Sequence, residues 1–158
     1  LALLRFLLKR HPDHVSVERV LCGAGLVMLY EFFCSHEPTQ ENPAVTAAIA
    51  AAGGSGAAVI SQQALADTDA LCSLALQRFV MLYGAEASNL ALKSLATGGV
   101  YLAGGIAAKI LPKMTDGVFM QNFVRKGRFS ALCQQLPVYI VKNPDIGLFG
   151  AAYLASTL

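Results

Sequence analysis

The chain has 158 residues, 55% of them hydrophobic and 14% charged, with a formal net charge of +2. An average soluble domain is about 25% charged, so this composition suits elements covered on most sides, and it suits a piece of a larger protein. A charge of +2 is too small to steer a polyanion, and the one basic cluster (Arg125, Lys126, Arg128) reads as a solvated loop; nucleic acid is not an expected partner.

Leu1–Arg10 has the character of a helix caught mid-protein, with no secretory cleavage site after it, and Pro12 stops it. Ser16–Leu21 is an ordered crossing that leads into Cys22-Gly23-Ala24-Gly25, after which Leu26, Leu29, Tyr30 and Phe33 carry helical spacing. Residues 36–43 form an exposed loop. Asn42–Ala66 is uncharged, but it is mainly Ala and Gly with Thr46, Ser55, Ser61, Gln62 and Gln63. A spanning helix needs about 20 strongly apolar residues, so two short helices broken at Gly53–Gly56 are expected instead of a membrane segment.

Asp67-Thr68-Asp69 offers N-cap chemistry for a long buried helix over 70–95, with Leu71, Leu74, Phe79, Leu82 and Tyr83 near one face and Thr97-Gly98-Gly99 ending it. Val100–Ala103 reads as a short strand buried on both faces, broken by Gly104-Gly105. Helical character follows from Ile106 until Pro112 perturbs it, and again over Val118–Val124. Val138–Val141 is a second strand, and a helix over 146–158 closes the chain. Few strands among many helices in a β-α-β rhythm predict a helix-rich α/β architecture.

Two places could carry chemistry. Gly104 and Gly105, after a strand, allow a positive φ and clear the space a ligand would need, and the helix that follows aims N–H groups at the turn. The same pattern also serves as a tight packing corner, and no Walker A sequence follows. Glu18 is either a surface carboxylate paired with Arg19 or a helix terminus, or an acceptor for polyol hydroxyls. The aspartates (Asp13, Asp67, Asp69, Asp116, Asp145) are explained by turns and caps, so neither an acid–base pair nor a phosphate loop is found. The four cysteines (Cys22, Cys34, Cys72, Cys133) lie far apart among apolar neighbours and read as buried free thiols of a reducing cytoplasm. His11, His14 and His36 do not make a zinc site.

Several stretches, in order, resemble the C-terminal part of bacterial-type glucokinases. They are His14–Leu26 with Leu29-Tyr30, then Asn89–Leu92, then Gly98–Ile106, then Lys126–Phe129, then Pro137–Val141 and Gly147–Ala151. The resemblance implies ATP-dependent phosphorylation of the glucose 6-hydroxyl, with Mg²⁺, in an actin-like ATPase or hexokinase-type (ribonuclease H-like) fold. Residues 1–158 would be the C-terminal portion of the large domain, with the small N-terminal domain outside this chain. It also implies that Glu18 binds the sugar and that Gly104 and Gly105 line the adenosine side of the nucleotide site. The family's catalytic aspartate, its first phosphate loop and a Glu-Gly-Gly-His sugar motif would lie upstream of Leu1.

Departures from the pattern are Cys22 and Ala24, where the family often has Ser and Pro, and the Ala/Gly stretch 44–58, expected to reshape a peripheral helix pair and leave the site alone. The expected setting is a cytoplasmic protein, a homodimer or, as this chain alone, self-associating and inactive. The alternatives are a sugar-sensing or interaction module of the same fold without phosphoryl transfer, and a kinase for another hexose.

Overall fold

The computed structural model describes residues 1–158. In chain order it contains α1 (Ala2–Arg10), α2 (Gly23–His36), α3 (Pro43–Ala51), α4 (Gly56–Leu65), α5 (Ala70–Ser94), β1 (Val100–Leu102), α6 (Gly105–Lys109), α7 (Leu111–Met114), α8 (Val118–Val124), α9 (Ser130–Gln135), β2 (Val138–Ile140) and α10 (Ile146–Thr157). Short 3-10 turns at Val17–Arg19, Pro38–Gln40, Gly53–Ser55 and Gly127–Phe129 join them. The strands pair in parallel, Val100 with Val138 and Leu102 with Ile140, as a two-stranded sheet. A parallel pair needs a crossover, and α6–α9 supply it. This is the helix-rich α/β arrangement that the sequence predicts.

Helix α5 is the axis of the molecule. Asp69, buried at its N-terminus, accepts a 2.8 Å hydrogen bond from the Cys72 N–H, satisfying a donor that the helix itself leaves unpaired. Leu71, Cys72, Ala75, Leu76, Phe79, Val80, Ala87 and Ala91 bury its core-facing side, whereas Leu74 is partly exposed. The helix stops at Ser94, earlier than Thr97-Gly98-Gly99, because Leu95 adopts a left-handed conformation (φ 46°) and Ala96 N–H bonds back to the Ala91 carbonyl at 2.9 Å. That reversal closes the helix as a glycine C-cap would, with a leucine carrying the strain.

Helix α8 lies directly on α5. Phe119 and Phe123 are fully buried, and Tyr83 meets Phe119 edge-on with ring centroids 5.7 Å apart. Such close packing is possible because residue 84 has no side chain: a Cβ there would sit 2.4 Å from the Phe119 carbonyl oxygen. Lys126, expected in a solvated loop, instead donates from Nζ to the Ala85 carbonyl at 2.8 Å and to Asn89 Oδ1. It fastens the turn before α9 to α5. Helix α9 itself has only six residues and one buried anchor, Cys133, too little pattern for the sequence to announce it.

Three expectations need correction. First, β1 is covered on one face only: Val100 and Leu102 point into the core, while Tyr101 is 65% exposed and stacks on the 46%-exposed Tyr139 at 4.8 Å. Helices lie on a single side of this sheet, so the alternation of a half-buried strand replaces the expected double burial. Second, the break after α6 falls at Ile110, and Pro112 sits in the first turn of α7, where its missing N–H costs nothing. Third, only Cys72 and Cys133 are buried; Cys22 and Cys34 are partly exposed.

The Ala/Gly stretch forms α3 and α4, bent by 119° at their junction, with Val45, Ile49 and Ile60 in the common core. No single helix is long and apolar enough to cross a membrane, although this bent pair has the length and composition of a broken span. Helix α10 buries none of its residues and leaves Leu148 (71%) and Tyr153 (74%) open.

Three glycines give contrasting tests. Gly84→Ala should destabilise the chain by about 2–3 kcal/mol in urea denaturation, because overpacking against a backbone carbonyl exceeds the roughly 1 kcal/mol that alanine gains in a helix. At Gly104 the backbone has φ 103° and ψ 171°, a region almost restricted to glycine, and no atom lies within 4 Å of a would-be Cβ. Gly104→Ala should therefore cost about 1–3 kcal/mol through strain alone. Gly105→Ala, at ordinary φ and with only the flexible Lys109 side chain 3.9 Å from the added Cβ, should change stability by less than about 0.5 kcal/mol.

Candidate functional site

Glu18 stands on a 3-10 turn made by Val17–Arg19, closed by hydrogen bonds from Arg19 N–H to the Ser16 carbonyl (3.1 Å) and from Val20 N–H to the Val17 carbonyl (3.0 Å). Buried Val20 anchors the turn to the core. Gly25 lets it press on the first turn of α2, since a Cβ at that position would lie 2.7 Å from the Val20 backbone. The mount is rigid while the carboxylate is exposed. It has no ion pair: the two in the chain join Arg10 to Glu31 and Lys113 to Asp116. Of the plainer sequence reading, a surface carboxylate paired with Arg19 or a helix terminus, the pairing with Arg19 does not occur, while Glu18 is exposed and stands in the first turn of the 3-10 helix.

Helix α2 begins at Gly23, so Cys22-Gly23-Ala24-Gly25 is a helix start and not a separate turn. Cys22 is the N-cap, and its Sγ accepts from the Gly25 N–H at 3.3 Å. A serine hydroxyl would make the same bond at shorter range. The thiol thus keeps the capping role at the position where the family pattern often has Ser.

A cleft of about 470 Å³ opens beside this cap. Cys22, Gly23 and Leu26 form one wall; Ala57, Ala58, Ser61, Gln62 and Leu65 of α4 form a second; Ile106, Lys109 and Ile110 form a third, with Phe79 behind them. The elements that follow the two sequence candidates therefore meet. Glu18, Gly104 and Gly105 are not themselves in the lining. Gly104 directs the chain from β1 into α6, and α6 brings Ile106 and Lys109 to the cleft. Helix α6 has only five residues, so the anion-attracting dipole expected after the Gly-Gly turn is slight.

Sequence reasoning missed the α4 wall. The Ala/Gly stretch, expected to be peripheral, supplies Gly54, Ser55, Ala57 and Ala58 to the lining. Its one legible signal is the lack of charge, which fits a membrane segment or a smooth wall equally well.

The ionisable side chains of the cleft are Cys22 and Lys109. Its lining contains no Asp, Glu or His. Groups with displaced titration lie elsewhere: burial pushes up Tyr30, Cys34, Cys72 and Tyr83, and Asp69 adds to the effect at Cys72. At Asp116 burial works upward, but the Lys113 ammonium 2.7 Å away and the Val118 N–H outweigh it and lower the carboxyl. No three His, Cys, Asp or Glu side chains converge as a metal would require.

Comparison with known proteins supplies the kinship. A family model described as glucokinase matches residues 1–158. The glucokinase of Nostoc punctiforme is 43% identical over 166 residues, covering 99% of this chain and 49% of its own length. That of Synechocystis sp. is 42% identical over 164 residues, covering 98% and 46%. A crystal structure of glucokinase from an Antarctic psychrotroph superimposes with a TM-score of 0.79 at 30% identity, over 99% of this chain and 45% of the other. The chain spans about half the length of the relatives it matches. With the match running from Leu1 to Leu158 and the cleft set between its motif-bearing elements, the chain belongs to the glucokinase family.

Proposed function

We propose that the full-length protein transfers a phosphoryl group from ATP to the 6-hydroxyl of glucose, and that residues 1–158 are the C-terminal portion of its large domain. The observation that carries this reading is the cleft between the Cys22–Leu26 segment and α6, which joins the sugar-motif side of the chain to the Gly-Gly side. The glucokinases that the chain resembles at 42–43% identity support it. In this reading the fold is the actin-like, hexokinase-type one. The two-stranded sheet and the exposed apolar side of α10 continue into, or pack against, the half of the protein beyond this chain.

Each residue then has a defined task. Glu18, rigidly mounted, accepts hydrogen bonds from sugar hydroxyls; a carboxylate acceptor adds about 1.5–3 kcal/mol over water for each such bond. Gly104 and Gly105 keep side chains away from the adenosine, and the cleft takes the nucleotide's apolar end. The base for the attacking hydroxyl belongs to another part of the protein, because the lining offers no carboxylate. The donor set also does not fit a magnesium site: Mg²⁺ favours oxygen ligands, and no carboxylates cluster on this chain. Mg²⁺ would arrive with the nucleotide phosphates, and no step here runs through it. Cytoplasmic location and a homodimeric assembly complete the proposal.

In the full-length enzyme, Glu18→Gln should raise the glucose KM by about one to two orders of magnitude in a coupled ADP assay, leaving the ATP KM within about twofold. An unchanged glucose KM would remove Glu18 from the sugar site, and a hexose panel in the same assay identifies the preferred sugar. The 158-residue chain alone should show no turnover and should self-associate through α10 and the open sheet face. Light scattering that gave the 16.7 kDa monomer mass across a wide concentration range would refute the latter.

A further inference from the structure

We propose that Gln62 reads the nucleobase: its carboxamide bonds the edge of adenine in the cleft and selects ATP over GTP. The proposal rests on the nucleotide reading of the cleft and adds the residue that sets base specificity.

The cleft's polar groups differ in what they have left to offer: Ser55 Oγ and the Gln62 carboxamide are both without a partner, and of the two only the carboxamide sets an acceptor beside a separate donor. Ser61 Oγ already donates to the Ala57 carbonyl at 2.8 Å, and Cys22 Sγ is engaged by the Gly25 N–H. The neighbouring Gln63, outside the cleft lining, is held by Thr68 at 2.6 Å. Gln62 lines the cleft and is exposed, and its side chain has no hydrogen bond to any protein group, so both the acceptor and the donors of its carboxamide are open to a ligand. Lys109 is also without an ion pair, but an ammonium suits phosphate oxygens and not a base.

The surroundings fit a flat heteroaromatic ring. Ala58, Ser61 or Gln62, and Leu65 recur at helical spacing along one face of α4, a smooth strip with a carboxamide in its middle. Leu65 and Ile106, on two different walls, are large apolar side chains left open to solvent, as the sides of a slot awaiting a ring would be. A sugar would meet too few polar partners here. A carboxamide presents a carbonyl acceptor beside an N–H donor, which complements adenine N6–H and N7. Guanine shows two acceptors, O6 and N7, on the same edge and would oppose the Gln62 carbonyl.

The test uses the full-length enzyme with ATP and GTP as alternative donors. Gln62→Leu, at an exposed helical position, should raise the ATP KM about tenfold and lower the ATP-over-GTP preference by a similar factor, with the glucose KM within about twofold. Ala58→Trp, also at an exposed position, fills the cleft and should abolish ADP binding in calorimetry while circular dichroism stays unchanged. If Ala58→Trp blocks the nucleotide and Gln62→Leu leaves both the ATP KM and the donor preference unmoved, Gln62 is not the reader and the cleft remains the site. If neither variant affects the nucleotide, the cleft reading falls and the proposal falls with it.

Discussion

At Gly84 the backbone of α5 runs so close to the Phe119 carbonyl that a single methyl group has no room between them. Much of the chain's C-terminal half takes its position from that contact. It seats α8 on α5 with Phe119 and Phe123 buried, and α8 lies within the crossover that returns the chain to place β2 beside β1. Lys126 adds a second fastening a turn later, drawing the start of α9 to the Ala85 carbonyl. The N-terminal half uses α5 as well, packing α2 and α4 against its first turns, where Asp69 caps Cys72. The cleft lies where these two halves meet, so its walls are fixed by core packing and not by loops.

What the sequence reveals and conceals follows from how local each signal is. The long helix after Asp69, the helices on either side of Gly53–Gly56, and Val118–Val124 are legible because caps, glycine breaks and apolar spacing act within a few residues. The exposure of Tyr101 is not legible: whether a short apolar strand is covered on one face or two depends on where distant helices go. Lys126 fails as a prediction for the same reason, since its partners Ala85 and Asn89 are remote in the chain and a basic cluster looks solvated until they are known. For the site, the sequence marks Glu18 and the Gly104-Gly105 turn, and the structure sets the elements after them around a common space. Gln62 and the α4 wall carry no local signature.

The strand pair and the C-terminal helix behave differently from the rest of the chain. Helix α10 is apolar yet buries nothing, and the outer face of the strand pair carries two stacked tyrosines. A two-stranded sheet and a bare apolar helix are poor structures in water alone, and their surfaces match a chain that spans about half the length of its relatives. Glu18 is rigidly mounted and has no ion pair, while the cleft lining holds no carboxylate and no imidazole.

The alanines of α4 have a consequence for how such a cleft can change. Ala57 and Ala58 each contribute one methyl group to the wall, so the width of the space is set by the helix backbone and by the atoms these residues lack. A close-packed wall of large side chains could be altered only by repacking its neighbours. Here the exposed Ala58 can be enlarged in increments with α4 staying in place, whereas the half-buried Ala57 packs against the core. The monotony of the Ala/Gly stretch is, in this sense, an adjustable aperture at its exposed positions, while Ile49 of α3 and Ile60 of α4 belong to the buried core.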